Sequence, residues 1–196
     1  MLTHSLKMSK YKEEIYSIFE ETKALLNGHF ILRSGMRSAN FFQCAKVCQY
    51  MDKVTRLATI MIEEIPFTHI NTVVAPAMGG LVIGQEVARQ LKARFLFLEK
   101  VDDRLALRRN FSLNKEDRVL LVEDVVTKGG RVKEAIEIIL GFECSLIGVT
   151  SLVDRSTSEL NLRAPFHGML KMNFPTYEPD ALPEELSRIP AVKPGS

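Results

Sequence analysis

Glu123 and Asp124 stand side by side near the end of an apolar run, in the stretch VLLVEDVVTKGG over residues 119–130. Like charges repel and a desolvated carboxylate is expensive, so such a pair needs a cation or hydrogen-bond donors to meet it. The residues that follow suit an anion. Gly129 and Gly130 allow positive φ and let backbone N–H groups converge, a helix starting there adds its positive dipole end, and Thr127 adds a hydroxyl. Carboxylates that accept from ribose hydroxyls or hold Mg²⁺, beside a loop that takes a phosphate, together fit a phosphorylated sugar. The chain has no G-x-x-x-x-G-K-[ST] and no G-x-G-x-x-G, which sets aside the P-loop and dinucleotide folds. Without a ligand the pair would be the solvated acidic end of a strand.

The elements that must hold these residues alternate. INTVVAP (70–76), RFLFLEK (94–100), RVLLVED (118–124) and CSLIGVTSLVD (144–154) read as strands, and GGLVIGQEVARQLKA (79–93) and GRVKEAIEIIL (130–140) as helices. Strands alternating with helices predict an α/β fold, a mainly parallel sheet with helices on both faces, in which ligands bind beyond the carboxyl ends of the strands. The acidic pair sits at such an end. Upstream, Tyr11, Ile15, Ile18, Phe19, Leu25 and Leu26 predict a helix between Ser9 as N-cap and Asn27-Gly28 as stop. Residues 28–47 read as short strands or a hairpin around a basic turn, and the stripe from Val54 to Ile65 as a helix ended by Pro66. Residues 101–117 lack a clean period and are long for a connection, so they are expected to form a lid-like loop. Five of the eight prolines fall in residues 175–196, which read as an extended tail over the surface.

The 196 residues fit a single domain, and 26 basic against 24 acidic residues give a net charge of +2. No global field argues for nucleic acid or an anionic membrane, and no apolar span reaches membrane length, so a cytoplasmic protein is expected. Cys44, Cys48 and Cys144 make neither a disulfide framework nor a zinc site and are expected to be ordinary reduced residues.

VLLVEDVVTKGG resembles the phosphoribosyl pyrophosphate (PRPP) signature of the type I phosphoribosyltransferases: an apolar strand, two acids, two apolar residues, Thr, a small residue and Gly. Other stretches resemble the orotate-using branch of that family. GHFILRSGMRSANFF is similar to its orotate-binding segment, with Arg33 before Ser34-Gly35 and then Phe41-Phe42; VVAPAMGGLVIG is similar to its pyrophosphate loop; LEKVDDRLALRRNF stands in the place of its mobile catalytic loop; SLVDRS carries the arginine, here Arg155, that meets the orotate carboxylate. The resemblance implies one phosphoribosyltransferase domain over residues 1–196, with an N-terminal helix and substrate hood in 1–50, and transfer of the 5-phosphoribosyl group from PRPP to orotate in pyrimidine synthesis.

It also implies site residues. PRPP would meet Ala77, Met78, Gly79, Lys100, Glu123, Asp124, Val125, Val126, Thr127, Lys128, Gly129, Gly130 and Arg131. Orotate would meet Arg33, Phe41, Phe42, Thr127 and Arg155, with the backbone around the two phenylalanines against the pyrimidine. Lys100, Arg104, Arg108, Arg109 and Asp124 would be catalytic, the cations serving the pyrophosphate leaving group while loop closure keeps out water. Mg²⁺ would be the cofactor, carried mainly by PRPP with Glu123 and Asp124 as its protein contacts, and two subunits would pair as a homodimer that shares its active sites. The chain departs from the family pattern at Lys128, where a small residue is usual, at Arg131, where Ser or Thr is common, at Met78-Gly79, which offers no lysine, and at Arg33, where lysine is typical. The tail's PAVKPGS resembles the end of one bacterial branch but lacks the Cys-x-x-Cys often found just before it.

Bland readings compete with several of these. Arg155 could form a surface ion pair with Asp154, Arg108-Arg109 could be a solvated charge run, and Phe41 or Phe42 could be core. A purine or xanthine phosphoribosyltransferase would lack the Arg33 segment and Arg155. A non-catalytic PRPP-binding regulator is suggested by Lys128 and Arg131 but would not need the loop cations.

Overall fold

The computed structural model describes residues 10–32 and 34–194. Ser9 and Arg33 lie outside the described residues, so the expected cap and the expected basic contact to orotate are not placed. Helix α1 (Lys12–Glu21) buries Ile15, Ile18 and Phe19. It ends earlier than the apolar spacing predicted. Thr22 Oγ1 donates to the carbonyl of Ile18 at 2.7 Å, and Lys23 takes φ 55°. Leu25 and Leu26 therefore open strand β1 (Leu25–Ile31), which pairs antiparallel with β2 (Arg37–Phe42). Asn27-Gly28, expected to stop a helix, lies where the β1–β2 register shifts. Pairing and the burial of Leu25 outweigh a helical period that a leucine pair alone extended.

A tight helical turn over Cys44–Gln49 leads into α2 (Met51–Glu64), which ends before Pro66 as its sequence predicts. The main sheet then forms from β3 (Thr72–Pro76), β4 (Arg94–Val101), β5 (Arg104–Leu107), β6 (Arg118–Val126), β7 (Ser145–Asp154) and β8 (Phe166–Lys171), in the order β5-β4-β3-β6-β7-β8. All neighbours run parallel except β4 and β5. Helices α3 (Gly80–Leu91) and α4 (Gly130–Leu140) make the crossovers. Successive residues of each strand serve opposite faces: Val73, Leu120 and Val122 pack with α2 and α3, while Val74, Val119 and Leu121 pack with Val132, Ile136 and Ile139 of α4. Each such side chain removed from water contributes roughly 1.5–3 kcal/mol.

The lid-like interval is, in its first part, a hairpin. Asp102 and Asp103 both take positive φ, 46° and 66°, which turns β4 back into β5. Aspartate tolerates that conformation better than most residues, and two adjacent acids there are a turn signal. The tail is also more structured than expected. Strand β8 was not anticipated, because FHGMLK places a glycine mid-strand and does not alternate. Thr176–Tyr177 forms β9 on the open side of β2, and α5 (Glu184–Ser187) follows. Val192 then pairs with β1: its N–H donates to His29 O at 2.8 Å and its carbonyl accepts from Ile31 N at 2.9 Å. Strands β1, β2 and β9, with this clasp, form a second, small sheet in the region where a hood was expected. No helix among the described residues is long and apolar enough to cross a membrane.

Candidate active site

Strand β3 passes through α3 to β4 on one side of the sheet order, and β6 passes through α4 to β7 on the other, so the order reverses between β3 and β6. A crevice opens at the carboxyl ends of two such strands. Pairing between them ends at Val74 with Leu121, five residues before β6 itself ends at Val126. Glu123 and Asp124 thus lie inside the last stretch of β6, paired to β7 but free on the β3 side, rather than in the loop after it.

A cavity of about 480 Å³ fills this crevice. Every residue that the resemblance assigned to PRPP lines it except Lys128. On one wall stand Ala77, Met78 and Gly79, with Ala77 N–H held by Leu98 O at 2.7 Å. A Cβ added at Gly79 would come within 2.5 Å of Asp124 Oδ2, and one at Gly80 within 2.9 Å of the Val122 carbonyl, so this loop approaches the acidic pair as only glycine permits. On the other wall Gly129 takes φ 72° and turns the chain into α4, whose first turn exposes N–H groups without a side-chain cap. Gly130 is already helical, so positive φ is needed at one glycine of the pair. Arg131 and Lys100 face the same space, and Lys100 pairs with Asp103.

Glu123 is buried and Asp124 half-buried. Burial, then the charge and hydrogen bond of Asp124, push Glu123 up to about 9. It therefore holds a proton at neutral pH until a cation or a ring of donors offsets the burial. Behind the pair, contact with Cys48 and then burial hold the Cys44 thiol well above its ordinary range. All three cysteines are free.

A second cavity of about 580 Å³ adjoins the first, and Thr127 lines both. Here are Arg155, Lys128, Lys133 and Phe174. Arg155 N–H donates to the Val126 carbonyl at 2.7 Å, tying it to the end of β6, and its guanidinium lies 5.4 Å from the centre of the Phe174 ring. Burial draws Arg155 below its ordinary value. Among the described residues no carboxylate pairs with it; Asp154 is bound instead by Lys171 Nζ at 2.8 Å, so the surface-pair reading of Arg155 does not describe this chain.

The remaining expected residues lie elsewhere. Phe42 is buried edge-on against Phe19 at 4.9 Å, and Phe41 is half-buried against Phe30 at 5.7 Å; neither lines the two cavities. Arg104 is exposed on β5. Arg109 Nε reaches Glu99 Oε1 at 2.5 Å with Arg108 at 3.8 Å from the same carboxylate, and Arg109 holds Glu99 below the usual carboxylate range. The two arginines are exposed side chains that also pair with Glu99 of β4. Lys133 and Phe174 had no signal in the sequence, since their roles follow from α4's pitch and from β8 and the turn after it. Among the described residues no three or more His, Cys, Asp or Glu side chains gather to hold a metal ion.

Residues 46–178 match the phosphoribosyl transferase domain. The orotate phosphoribosyltransferase of Caldanaerobacter subterraneus subsp. tengcongensis is 42% identical over 94% of this chain and 97% of its own length, and that of Novosphingobium aromaticivorans is 45% identical over the same shares. The crystal structure of orotate phosphoribosyltransferase from Aeropyrum pernix superposes with a TM-score of 0.69 at 18% identity, covering 81% of this chain and 93% of the other, a likeness of fold. Signature, sheet order, cavity and relatives agree: the chain belongs to the phosphoribosyltransferase family, among its orotate phosphoribosyltransferases.

Proposed function

We propose that this chain transfers the 5-phosphoribosyl group of PRPP to orotate, giving orotidine 5′-monophosphate and pyrophosphate, a step of pyrimidine synthesis in the cytoplasm. One observation carries the reading: an anion cradle with an acidic pair and an uncompensated half-buried arginine line two cavities that meet at Thr127. The loop from Thr127 to Gly130 and the first turn of α4 take the 5′-phosphate, and Asp124 with Glu123 accepts from the ribose hydroxyls. Residues 77–79, Lys100 and Arg131 receive the pyrophosphate, and Arg155 takes the orotate carboxylate.

The bond from the ribose C1′ to pyrophosphate breaks as the bond to the orotate ring nitrogen forms, and the proton of that nitrogen passes to solvent or to the departing pyrophosphate. Positive charge grows on the ribose and negative charge on the leaving group, so placement and fixed charge do most of the catalysis. Asp124 faces the first and the cations the second. We infer that Arg108 and Arg109 leave Glu99 to join them when PRPP binds, and that a partner subunit shares in forming each site, as a homodimer. The whole chain, hood and sheet together, acts as one catalytic domain.

Mg²⁺ fits as a guest of the substrate. Two carboxylates at the cavity, with no group of three or more His, Cys, Asp or Glu side chains gathered among the described residues, suit an ion that arrives on PRPP better than one held by the protein alone. When bound, it would supply positive charge that offsets the negative charge of the pyrophosphate.

The test is orotate consumption, followed by absorbance, with PRPP and Mg²⁺, and with uracil, hypoxanthine, xanthine and adenine in parallel. Loss of orotate absorbance that stops with EDTA supports the reading. Turnover of a purine base in its place would leave the fold standing and overturn the substrate.

A further inference from the structure

Arg155 and Asp154 are chain neighbours of opposite charge, the simplest ion pair the sequence offers, yet the structure keeps them apart. Asp154 ends β7 opposite Lys171 in the parallel pairing with β8. Both of its oxygens are engaged: Oδ2 accepts from Lys171 Nζ at 2.8 Å, and Oδ1 accepts from the Ser156 backbone N–H at 2.8 Å. Lys171 Nζ also donates to Ser156 Oγ at 2.7 Å, closing a three-residue ring around the strand end. The Asp154 side chain is 13% exposed and that of Lys171 40%, so the acid is the enclosed partner and the lysine covers it.

The backbone on both sides of this ring is fixed as well. Met172 N–H donates to Asp154 O at 2.9 Å, and Arg155 N–H donates to Val126 O at 2.7 Å. The base of Arg155 is thereby held between β6 and β7, while its head lies over the Phe174 ring. An arginine already neutralised by its neighbour would have to break that pair before accepting a substrate carboxylate. With no carboxylate in ion-pair contact among the described residues, although Glu159 lines the same cavity, it attracts an anionic acceptor and gives no matching gain to a neutral one.

We propose that Lys171 is a positioning residue that sets acceptor specificity: by occupying Asp154 it keeps the Arg155 guanidinium available for the carboxylate of the acceptor base. The inference rests on the proposed reaction and adds to it a residue that touches no substrate. Its strand lay outside the sequence reading, which is why Lys171 drew no attention there.

The experiment compares KM for orotate and for PRPP in the native enzyme, K171M, K171R, the double variant K171M/D154N and R155A, with thermal unfolding of each. K171M releases Asp154 to neutralise Arg155, so its KM for orotate rises roughly tenfold. KM for PRPP stays within about twofold, a ratio well under one decade. K171R retains native orotate KM, because the charge on Asp154 is still met. Removing the freed acid in K171M/D154N returns orotate KM to within about threefold of native, which a merely structural role for Lys171 would not do. A native orotate KM in K171M, equal rises for both substrates, or no recovery in the double variant would overturn the inference while the native enzyme still turns over orotate. A native enzyme that ignores orotate, or an R155A variant with native orotate KM, would instead bring down the reading on which it rests, and the inference with it.

Discussion

Glu123 carries a proton in the unliganded protein at neutral pH, and that has a measurable consequence. Its folded value is about 9 against an ordinary 4.5, so the folded state binds the proton more tightly between those two limits. The contribution is fully present below pH 4.5, falls as pH rises across the window and is gone above pH 9. Melting temperatures of the ligand-free chain at pH 5, 7 and 9 should fall more steeply than those of Glu123→Gln, whose amide cannot ionise; parallel curves would show that burial is relieved by water. Gly79→Ala is expected to fold and to lose PRPP affinity, because the new methyl lands on Asp124. Isothermal titration with PRPP and Mg²⁺ measures it, and native affinity would mean the loop yields without cost. Arg155→Ala should raise KM for orotate by about 30-fold or more, since an uncompensated charge contact of this kind contributes at least 2 kcal/mol. At this scale the sequence was most informative. An acidic pair, a threonine and two glycines at fixed spacing pointed to one cavity, and the structure brings all of them to its lining. What it could not give is company: Phe174 beneath Arg155, or Lys171 on Asp154, requires knowing which distant segments lie alongside.

The elements set which of those residues face one another. The alternation of apolar runs marked four of the six main strands and the helices that cross over between them, since buried parallel strands leave a continuous apolar trace. It failed where local pattern and tertiary pairing disagree. Leu25 and Leu26 continue α1's period but are taken by β1, β5 hides in a charged stretch, and β8 is short and interrupted by Gly168. The β4–β5 hairpin is the element with the most to say about catalysis. It carries Lys100 into the cavity beside Glu123 and Asp124 and, just beyond β5, parks Arg108 and Arg109 on Glu99. If those arginines move to the leaving group, Arg108→Ala/Arg109→Ala should lower kcat by roughly 10²–10³-fold, with orotate binding largely kept. A kcat unchanged in single-turnover measurements would leave them as surface ion pairs. Hydrogen exchange across residues 99–111 should then change on PRPP binding only where the arginines let go.

At the scale of the molecule, the cavity sits at the carboxyl ends of the main strands, and the homodimer reading concerns how two such ends meet. A chain with Glu123→Ala/Asp124→Ala mixed with a chain with Arg108→Ala/Arg109→Ala should recover roughly a quarter of native activity, because random pairing gives half heterodimers, each with one intact shared site. No recovery after mixing and reassembly would mean that each subunit works with its own loop. The small sheet has a further consequence, one of timing. Its first strands leave the ribosome well over a hundred residues before the segments that close its two edges, β9 and the clasp at Val192. A nascent chain can fold the sheet of residues 72–171 first, but strands 25–42 keep two open edges until residues 176–192 have emerged to close them.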